Sequence, residues 1–568
     1  MKLVRRVCLT LLIVSPASWA QVTGVVRYAT GNSVAGAMVK VKSADSRLTY
    51  LVVSQEQGRY STPKLPPGKY TVQGFGGVYQ SSSTEIGVDS AGATADISLN
   101  SLREVRTPAR SLTDAEYVAL MPEGEAKKIL LTKCVVCHGP GNFISRPGTR
   151  KEWEQRLNEM VYYLGMNRNL QVEFNSKMGI DAAMLTSQER ELITDYLAKY
   201  FNPETAPPVP PVPPPFGSRF PVSDPNQHIP MTLQKSKYVA MELDLNPVQV
   251  GSFAIDPQGR IWVSEKTTGA LGRFDPKSHQ YTRLAPATAE FTKDDFGAVG
   301  VDPQGMVWFT STYDPFKGGL GAPPQNAKWF QYDPKSSKVV REYEVPIPNV
   351  PGGDILYNTF AFPPDGSVWV TQTAKHHLVK LDPSTGKVTP YPLRVGQHTF
   401  GITVGGDKMI WSAGDNDNVL LRVDPKNGEM TKYALPTVKY DSPFPSLENY
   451  GEKPWRVAAD SDGNIWATTL AGKLVKTDYR TGKMIEFTPP THDALGGLDI
   501  DIAGKIVWFG GAGVPRISRF DPAKNSFAEF PLTSAGQRPW IISVDPANRN
   551  RIWWNSRDGR IGYLELTD

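Results

Sequence analysis

Two cysteines and a histidine lie together in the first third of the chain, in the order Cys134-Val135-Val136-Cys137-His138. Thiols at this spacing can add to the two vinyl groups of a haem, while the imidazole of the next residue binds the iron from the same side. The alternatives are a thioredoxin-like redox pair, which lacks its βαβ setting here, and half of a zinc site, which lacks a second Cys or His pair nearby. The motif therefore predicts one covalent haem c, attached at Cys134 and Cys137 and ligated by His138.

The residues on both sides of this motif have the periodicity of α-helices. Apolar residues recur at intervals of three and four in residues 125–133, 150–163 and 187–201. Thr186 and Glu189 form a capping-box pattern at the start of the last of these helices. Together with the attachment motif, residues 123–201 resemble the single-haem cytochrome c domain. The resemblance implies an all-α domain over residues 114–202.

The second axial ligand of the iron is expected to be a methionine downstream of His138. In the cytochrome c family this methionine lies in a loop ahead of the final helix, and Met178 has a similar order and distance here. Met160 is the alternative, although its spacing from Trp153 is more typical of a helix core. An open position also remains, as do two further methionines, Met166 and Met184. A methionine would raise the reduction potential relative to two histidines and suit electron transfer, whereas an open position would allow ligand chemistry.

The beginning of the chain has the pattern of a secretory signal peptide. Basic residues precede an apolar run over residues 7–14, and small residues follow it: Lys2, Arg5 and Arg6, then Ala17, Ser18 and Ala20. We expect residues 1–20 to be removed and the mature chain to begin near Gln21, in the periplasm or outside the cell. The apolar run is shorter than the roughly 20 residues that a membrane-spanning helix needs. No second candidate follows, and Cys8 lies within the discarded peptide, so neither a membrane span nor a lipid anchor is predicted.

The composition excludes two further classes of protein. Removing the signal peptide lowers the net charge from +5 to near +2, and no long basic run remains, so a nucleic-acid binder is not expected. The only cysteines left after cleavage are those of the haem motif, which excludes a disulfide scaffold. A chain of 568 residues is expected to hold several domains.

Residues 21–101 have the texture of a small β-sandwich. They are rich in Gly, Ser, Thr and Val and contain short alternating stretches at residues 37–41 and 69–73. The stretches Thr23-Gly24-Val25-Val26, Gly36-Ala37-Met38-Val39 and Leu65-Pro66-Pro67-Gly68-Lys69-Tyr70 resemble the carboxypeptidase regulatory-like (transthyretin-like) domain. These motifs are turn and packing residues, so the resemblance implies a fold and no peptidase chemistry.

A Pro-rich stretch over residues 207–215, after the helical segment, predicts a semi-rigid linker at 203–230.

Residues 236–568 repeat one unit seven times, which is easiest to see at Asp256-Pro257-Gln258-Gly259-Arg260-Ile261-Trp262. The repeat has the period of a four-stranded propeller blade, and its tryptophans are predicted to be core residues: Trp262, Trp308, Trp369, Trp411, Trp466, Trp508 and Trp553. The last unit lacks its fourth strand. Residues 238–245 are expected to supply it, which would close a seven-bladed ring and remove an open sheet edge.

The Asp-x-x-Gly-x-Ile-Trp and Arg-Phe-Asp-Pro elements of these repeats resemble the streptogramin lyase (virginiamycin B lyase) family over residues 238–568. That family opens the lactone ring of a cyclic depsipeptide by metal-assisted elimination, using a His and a Glu on adjacent blades. This chain has Trp540 after Arg538-Pro539, and Ser556 after Trp553-Trp554-Asn555, at the corresponding places. An indole has no acceptor nitrogen and cannot replace an imidazole base. Either the blades are offset from this alignment or the lyase reaction is absent, and absence is the preferred interpretation.

Other polar residues of the repeats are candidates for the central funnel: Glu265, His376, His377, His398, Asp415, Asp417, Arg456, His492 and Arg538. Neighbours in a strand point to opposite faces, so at most one of His376 and His377 can face a given site, and exposed polarity is the preferred interpretation of the pair. His398, just ahead of the strand Phe400-Gly401-Ile402, is the preferred catalytic candidate of the propeller.

The predicted fold class is thus multidomain and mainly β, with a small β-sandwich, an all-α cytochrome c domain and a seven-bladed β-propeller. The predicted function is electron transfer through one haem, with the propeller binding a redox partner protein or a small-molecule substrate. The protein could then be the electron-accepting part of a periplasmic dehydrogenase or a simple cytochrome module, and the propeller has no recognisable second redox group. The alternatives are a metal-dependent carbon-oxygen lyase with an accessory haem, and a structural binding protein at the cell surface.

Overall fold

The computed structural model describes most of the chain outside its loops. The described residues are 19–76, 79–102, 114–131, 144, 147–154, 156–157, 185–207, 237–246, 248, 250–265, 270–284, 295–312, 327–346, 357–372, 377–393, 399–414, 418–436, 453–470, 472–490, 495–511, 516–532, 539–556 and 559–567. The chain divides into two compact units, one of residues 1–104, 230–242 and 566–568, the other of residues 105–229 and 243–565.

The first unit is a β-sandwich. Its strands are β1 (Val22–Tyr28), β2 (Met38–Ser43), β3 (Leu48–Val53), β4 (Arg59–Ser61), β5 (Gly68–Gly76), β6 (Tyr79–Gln80), β7 (Thr84–Val88), β8 (Ala93–Thr94), β9 (Ile97–Leu99) and β10 (Ser101–Leu102), with a 3-10 helix at Glu56–Gly58. One sheet has the order β4-β1-β8, with β9 also on β1. The other runs β10-β6-β5-β2-β3 and continues into β11 (Tyr238–Asp244), with β7 on β5. Alternating apolar residues of both sheets fill the core, among them Val39 and Val41 of β2 and Ile97 of β9.

The second unit begins with helices. They are α1 (Asp114–Ala119), α2 (Glu125–Ile129) and α3 (Ser187–Tyr200), and residues 150–154 and 156–157 are also helical. The predicted capping box of α3 is confirmed: the Glu189 N–H donates to Thr186 Oγ1 at 3.1 Å, and the Thr186 N–H donates to Glu189 Oε2 at 2.7 Å. No helix in the described part of the chain is long and apolar enough to cross a membrane.

The predicted fold class is wrong in its middle part. The described structure is mainly β, with many small sheets and few helices, and it does not indicate the all-α cytochrome c domain expected over residues 114–202. Two of the three α-helices, α1 and α2, have only 6 and 5 residues. The prediction extended a five-residue attachment motif and three stretches of helical periodicity to a whole domain, but such local signals specify covalent chemistry and single helices and not the architecture around them.

The rest of the second unit consists of antiparallel sheets in chain order. Sheet 1 contains β12 (Val250–Ile255), β13 (Ile261–Glu265), β14 (Ala270–Asp275) and β15 (Gln280–Leu284). Sheet 2 contains β16 (Asp295–Val301), β17 (Val307–Thr312), β18 (Ala327–Asp333) and β19 (Lys338–Val345). Sheet 3 contains β20 (Tyr357–Ala361), β21 (Val368–Gln372), β22 (His377–Leu381) and β23 (Val388–Pro392).

The remaining sheets repeat this pattern. Sheet 4 contains β24 (Thr399–Val404), β25 (Ile410–Gly414), β26 (Val419–Val423) and β27 (Met430–Ala434). Sheet 5 contains β28 (Pro454–Ala459), β29 (Ile465–Thr469), β30 (Leu474–Thr477) and β31 (Met484–Phe487). Sheet 6 contains β32 (Leu495–Asp501), β33 (Ile506–Gly511), β34 (Arg516–Asp521) and β35 (Ser526–Pro531). The last consecutive strands, here called sheet 7, are β36 (Ile541–Asp545), β37 (Asn548–Ser556) and β38 (Arg560–Leu566).

These sheets form a closed ring of the propeller type. The first strands of successive sheets contact each other from β12 to β36, and β36 contacts β12 again. The Leu245 N–H donates to the Gly559 carbonyl at 2.8 Å, and Arg560 Nη2 lies 3.8 Å from Asp244 Oδ2. The chain just before sheet 1 therefore lies beside the end of the chain, which agrees with the predicted pairing of the two ends.

The repeated tryptophans are core residues, as predicted, because each lies at most 2% exposed. Four of their indole N–H groups donate to the aspartate of the preceding turn at 2.8–3.0 Å: Trp262 to Asp256, Trp308 to Asp302, Trp466 to Asp460 and Trp553 to Asp545. The same carboxylate accepts backbone N–H groups of its own turn, such as those of Gln304 and Met306 in sheet 2. One aspartate thus joins the turn to the core of its sheet.

Replacing Asp302 by alanine is expected to lower the free energy of unfolding by about 2–3 kcal/mol, because the buried Trp308 N–H and two turn N–H groups lose a charged acceptor. Asp275→Ala is the matched control, because the carboxylate of this exposed turn accepts the Lys277 N–H at 2.8 Å, and its loss is expected to cost less than about 1 kcal/mol. Denaturant unfolding of both variants measures the difference. Equal losses would contradict the anchoring role of Asp302.

Candidate functional site

The predicted haem residues Cys134, Cys137 and His138 lie outside the described residues, as do all the methionines considered as the sixth ligand, Met160, Met166, Met178 and Met184. The chain on either side of the motif is described. Leu130, four positions before Cys134, is 1% exposed, and Ile144, six positions after His138, is 0% exposed. Both belong to one apolar cluster.

That apolar cluster joins the helices of the second unit. It includes residues of all three helices and of the helical stretch at 150–157: Tyr117, Ala126, Ile129, Trp153, Leu157, Ile193 and Leu197. Two hydrogen bonds fix α3 within it, from Trp153 Nε1 to the Phe201 carbonyl at 3.2 Å and from the Tyr196 hydroxyl to the Pro122 carbonyl at 2.6 Å. Burial raises the pKa of Tyr196 above its usual range, so the hydroxyl stays a donor. The chain entering and leaving the motif is therefore anchored in one apolar core.

Most predicted funnel residues of the propeller also lie outside the described residues, including the preferred candidate: His376, His398, Asp415, Asp417, His492 and Arg538. His377 is described, and it is a 7% exposed residue of β22 between the cross-strand neighbours Gln372 and Pro392. It is therefore a buried strand residue and not the exposed residue that the preferred interpretation expected.

Glu265 is described and has a structural ion pair. Its carboxylate is fully buried, accepts from the Tyr281 hydroxyl at 2.7 Å and pairs with Arg283 Nε at 2.8 Å. Burial and this neighbouring carboxylate raise the pKa of Tyr281 far above its usual range. Tyr281 and Arg283 lie on β15, two strands away from Glu265 on β13. The Tyr281 side chain crosses Gly272 of the strand between them, where a Cβ would lie 1.8 Å from the Tyr281 hydroxyl oxygen. Glu265 thus stabilises sheet 1 internally.

The seven sheets share one equivalent position in or just before their first strands. In each sheet, the residue that follows the repeated tryptophan pairs with a residue of the first strand. The axial position lies two residues before that first-strand residue. It is occupied by Gly251, Gly297, Asn358, Phe400, Trp455, Gly496 and Trp540. The large side chains are thus concentrated in sheets 4, 5 and 7. We call Phe400, Trp455, Trp540 and the adjacent Arg456 the axial cluster.

The aromatic rings of the axial cluster contact each other across sheets. Phe400 stacks on Trp455 with ring centroids 3.8 Å apart, and Trp455 meets Trp540 edge-on at 5.0 Å. Trp455 and Trp540 belong to sheets 5 and 7, so their contact spans sheet 6. The residues of sheet 6 at this point are glycines, and a Cβ on Gly496 or Gly497 would lie 2.4 or 2.5 Å from the backbone of sheet 7. The absence of side chains there lets the backbones of sheets 6 and 7 approach each other closely.

Arg456 links three sheets from the same cluster. Its side chain is 5% exposed, and Nη1 donates to the Phe400 carbonyl and, at 3.1 Å, to Thr359 Oγ1 of sheet 3. Thr359 Oγ1 also donates to the Phe400 carbonyl at 3.2 Å. Gly401 makes room, because a Cβ there would lie 2.9 Å from the Arg456 Cα. A permanently charged guanidinium is therefore held among aromatic rings at the centre of the ring of sheets.

Trp540 and Ser556, which were predicted to stand in place of a catalytic His and Glu, are buried packing residues here. Trp540 is 4% exposed and donates its backbone N–H to the Asn555 carbonyl at 2.8 Å, while Ser556 is fully buried. Burial raises the pKa of the nearby Asp499 carboxyl between sheets 6 and 7, where it accepts from the Val544 N–H at 2.8 Å. The described part of the chain contains no group of three or more His, Cys, Asp or Glu that could hold a metal ion. Its axial residues offer apolar faces and a cation.

Sequence reasoning identified Arg456 and Trp540 but missed their partners Phe400, Trp455 and Thr359. A signal for two of them was present, because Phe400 and Trp455 both precede the anchoring tryptophan of their repeat by eleven residues, where sheets 1 and 2 have glycines. Trp540 precedes Trp553 by thirteen residues, so its equivalence with them is seen only in the strand pairing.

Comparison with known families identifies two parts of the chain. Residues 317–568 match the virginiamycin B lyase family, and residues 21–100 match the carboxypeptidase regulatory-like domain. No curated protein sequence matches the chain. The chain thus contains a carboxypeptidase regulatory-like domain and a virginiamycin B lyase-like domain of the propeller type, as the two resemblances implied. The resemblance to a cytochrome c domain has no counterpart among these matches.

Solved structures similar to the chain include three lyases. They are a selenomethionine-substituted virginiamycin B lyase from Staphylococcus aureus (20% identity, TM-score 0.46), a catalytically inactive variant of that enzyme with quinupristin (19%, 0.46), and a streptogramin B lyase (20%, 0.47). Each similarity covers 58% of this chain, and 100%, 100% and 98% of the three lyases, respectively.

Proposed function

We propose that this protein is exported and transfers electrons through one haem held covalently by Cys134 and Cys137. The observation that carries the proposal is the attachment motif itself, whose two thiols and following imidazole match the chemistry of haem vinyl groups and iron. The buried residues Leu130 and Ile144 on either side support it, because they anchor the chain near the motif in an apolar core. An apolar surrounding favours the less charged state of an iron centre.

The residues of the chain have separate tasks in this proposal. Cys134 and Cys137 form thioether bonds that prevent loss of the group, and His138 supplies the proximal nitrogen ligand. Met178 supplies the second axial ligand. When bound, the haem accepts or donates one electron at a time. The helices that bury Leu130 and Ile144 keep water away from these two residues.

Met178→Ala is expected to lower the midpoint potential of the protein by on the order of 100 mV or more, because a thioether ligand favours the reduced iron. Met160→Ala is the matched control and is expected to leave the potential unchanged. Spectroelectrochemical titration of the full chain, monitored by haem absorption, measures both. A fall only in Met160→Ala would transfer the ligand role to Met160, and a wild-type protein without a one-electron step would contradict electron transfer altogether.

The propeller-type domain is proposed to bind a redox partner protein or a small-molecule substrate. The axial cluster favours binding over catalysis by this domain, because neither its buried indoles nor the guanidinium of Arg456 can serve as a general base. In this arrangement the protein serves as a cytochrome module or as the electron-accepting part of a dehydrogenase.

A second candidate function is a metal-dependent carbon-oxygen lyase with an accessory haem, and the family match over residues 317–568 favours it. Trp540 and Ser556 oppose it, because they replace the family's His and Glu. We expect no ring opening when the protein is incubated with a streptogramin B-type cyclic depsipeptide and Mg²⁺, as followed by mass spectrometry of the lactone. Turnover that a chelator abolishes would establish the lyase instead.

A further inference from the structure

Two residues of the predicted signal peptide are part of the folded sandwich. The Ala20 N–H donates to the Leu65 carbonyl at 3.1 Å, and the Leu65 N–H donates back to the Ala20 carbonyl at 2.8 Å, which makes an antiparallel bridge. Ala20 is 8% exposed and Leu65 is 0% exposed. Trp19 is half-buried. The folded sandwich therefore begins at least two residues before Gln21, the expected first residue of the mature chain.

Cleavage after Ala20 would damage this bridge. The Leu65 N–H belongs to a fully buried residue and would lose its acceptor, which is unfavourable for a backbone donor away from water. The half-buried Trp19 would be lost with it. A cut further upstream would keep the bridge and the Trp19 contacts intact.

The sequence offers such a cut. Signal peptidases require small residues directly before the cut and two positions earlier, and both Ser15-Pro16-Ala17 and Ser18-Trp19-Ala20 satisfy this rule. We infer that the signal peptide is removed by hydrolysis of the Ala17–Ser18 bond, three residues before the position expected from sequence. One water is consumed, and the mature chain begins with the ammonium group of Ser18. This inference rests on the proposed export and is independent of the haem.

The position of the cut can be read directly. The full chain is produced in a bacterial host that exports it, and the purified protein is analysed by intact mass and N-terminal sequencing. A mature chain beginning at Ser18 is the expected result. A chain beginning at Gln21, either free or cyclised to pyroglutamate, would overturn the inference.

Two variants provide a matched pair. Ala17→Leu places a large residue directly before the inferred cut, so the precursor is expected to accumulate or the cut to move to Gln21. Ser18→Leu changes the first residue after the inferred cut. Ser18 also lies two positions before Ala20, the last residue before the alternative cut. This variant is expected to leave the cut position unchanged. The reverse pattern would overturn the inference.

The same preparations separate this inference from the proposed function. A precursor that stays uncut in the wild type would contradict export and the inference together. A haem stain of the same denatured samples reports haem attachment separately, so its failure would leave the position of the cut unaffected.

Discussion

Replacing both Cys134 and Cys137 by serine is expected to abolish covalent haem attachment. Hydroxyl groups do not add to haem vinyl groups under the conditions in which thiols do, so no thioether bond can form. The measurement is haem staining of the denatured polypeptide after co-expression with a cytochrome c maturation system. We expect a stained band of full intensity for the wild type and none for the double variant.

The matched control is Cys8→Ser, which changes the remaining cysteine of the chain within the predicted signal peptide. It is expected to leave haem attachment at the wild-type level. Haem that stays bound to the denatured double variant would show that these cysteines do not hold it. Equal loss in the Cys8 variant would point to a failure of export rather than of attachment.

Trp455→Ala is expected to lower the free energy of unfolding by about 3–5 kcal/mol, the cost of removing a large buried aromatic side chain. Trp455 is 3% exposed, stacks on Phe400 and meets Trp540 edge-on, so its loss leaves a cavity where three sheets meet. Denaturant unfolding followed by circular dichroism measures the change. Circular dichroism is preferred to fluorescence here because the substitution itself removes a fluorophore.

Trp455→Phe tests whether the stacked ring accounts for this loss. It keeps an aromatic face on Phe400 and is expected to cost clearly less than the alanine variant. Equal losses in the two variants would assign the stability to the volume of the indole alone. A loss below about 1 kcal/mol in Trp455→Ala would contradict a packed axial cluster.

Local signals in the sequence predicted their elements well. The capping box at Thr186 depends on residues three positions apart within one turn, so spacing alone reveals it. The sandwich and the repeats were likewise predicted from short motifs that recur or alternate. The hydrogen bond from Trp308 to Asp302 joins residues of one repeat motif but was not predicted.

Contacts between distant parts of the chain were not predicted. Arg456 meets Thr359 across 97 positions, and Trp455 of sheet 5 meets Trp540 of sheet 7. Glu265 was expected to face the funnel, but Tyr281 reaches it across Gly272 and encloses it within sheet 1. The all-α domain was wrong for a related reason, because helical periodicity predicts individual helices and not the architecture that they form.

The central claim is tested most directly by absorption spectra of the wild-type protein, oxidised and dithionite-reduced, after expression with a cytochrome c maturation system. We predict the reduced spectrum of a c-type haem that survives denaturation, with a long-wavelength band of the oxidised protein that Met178→Ala removes. A denatured polypeptide without haem would contradict the proposal, and Cys134 and Cys137 would then be reinterpreted as a redox pair.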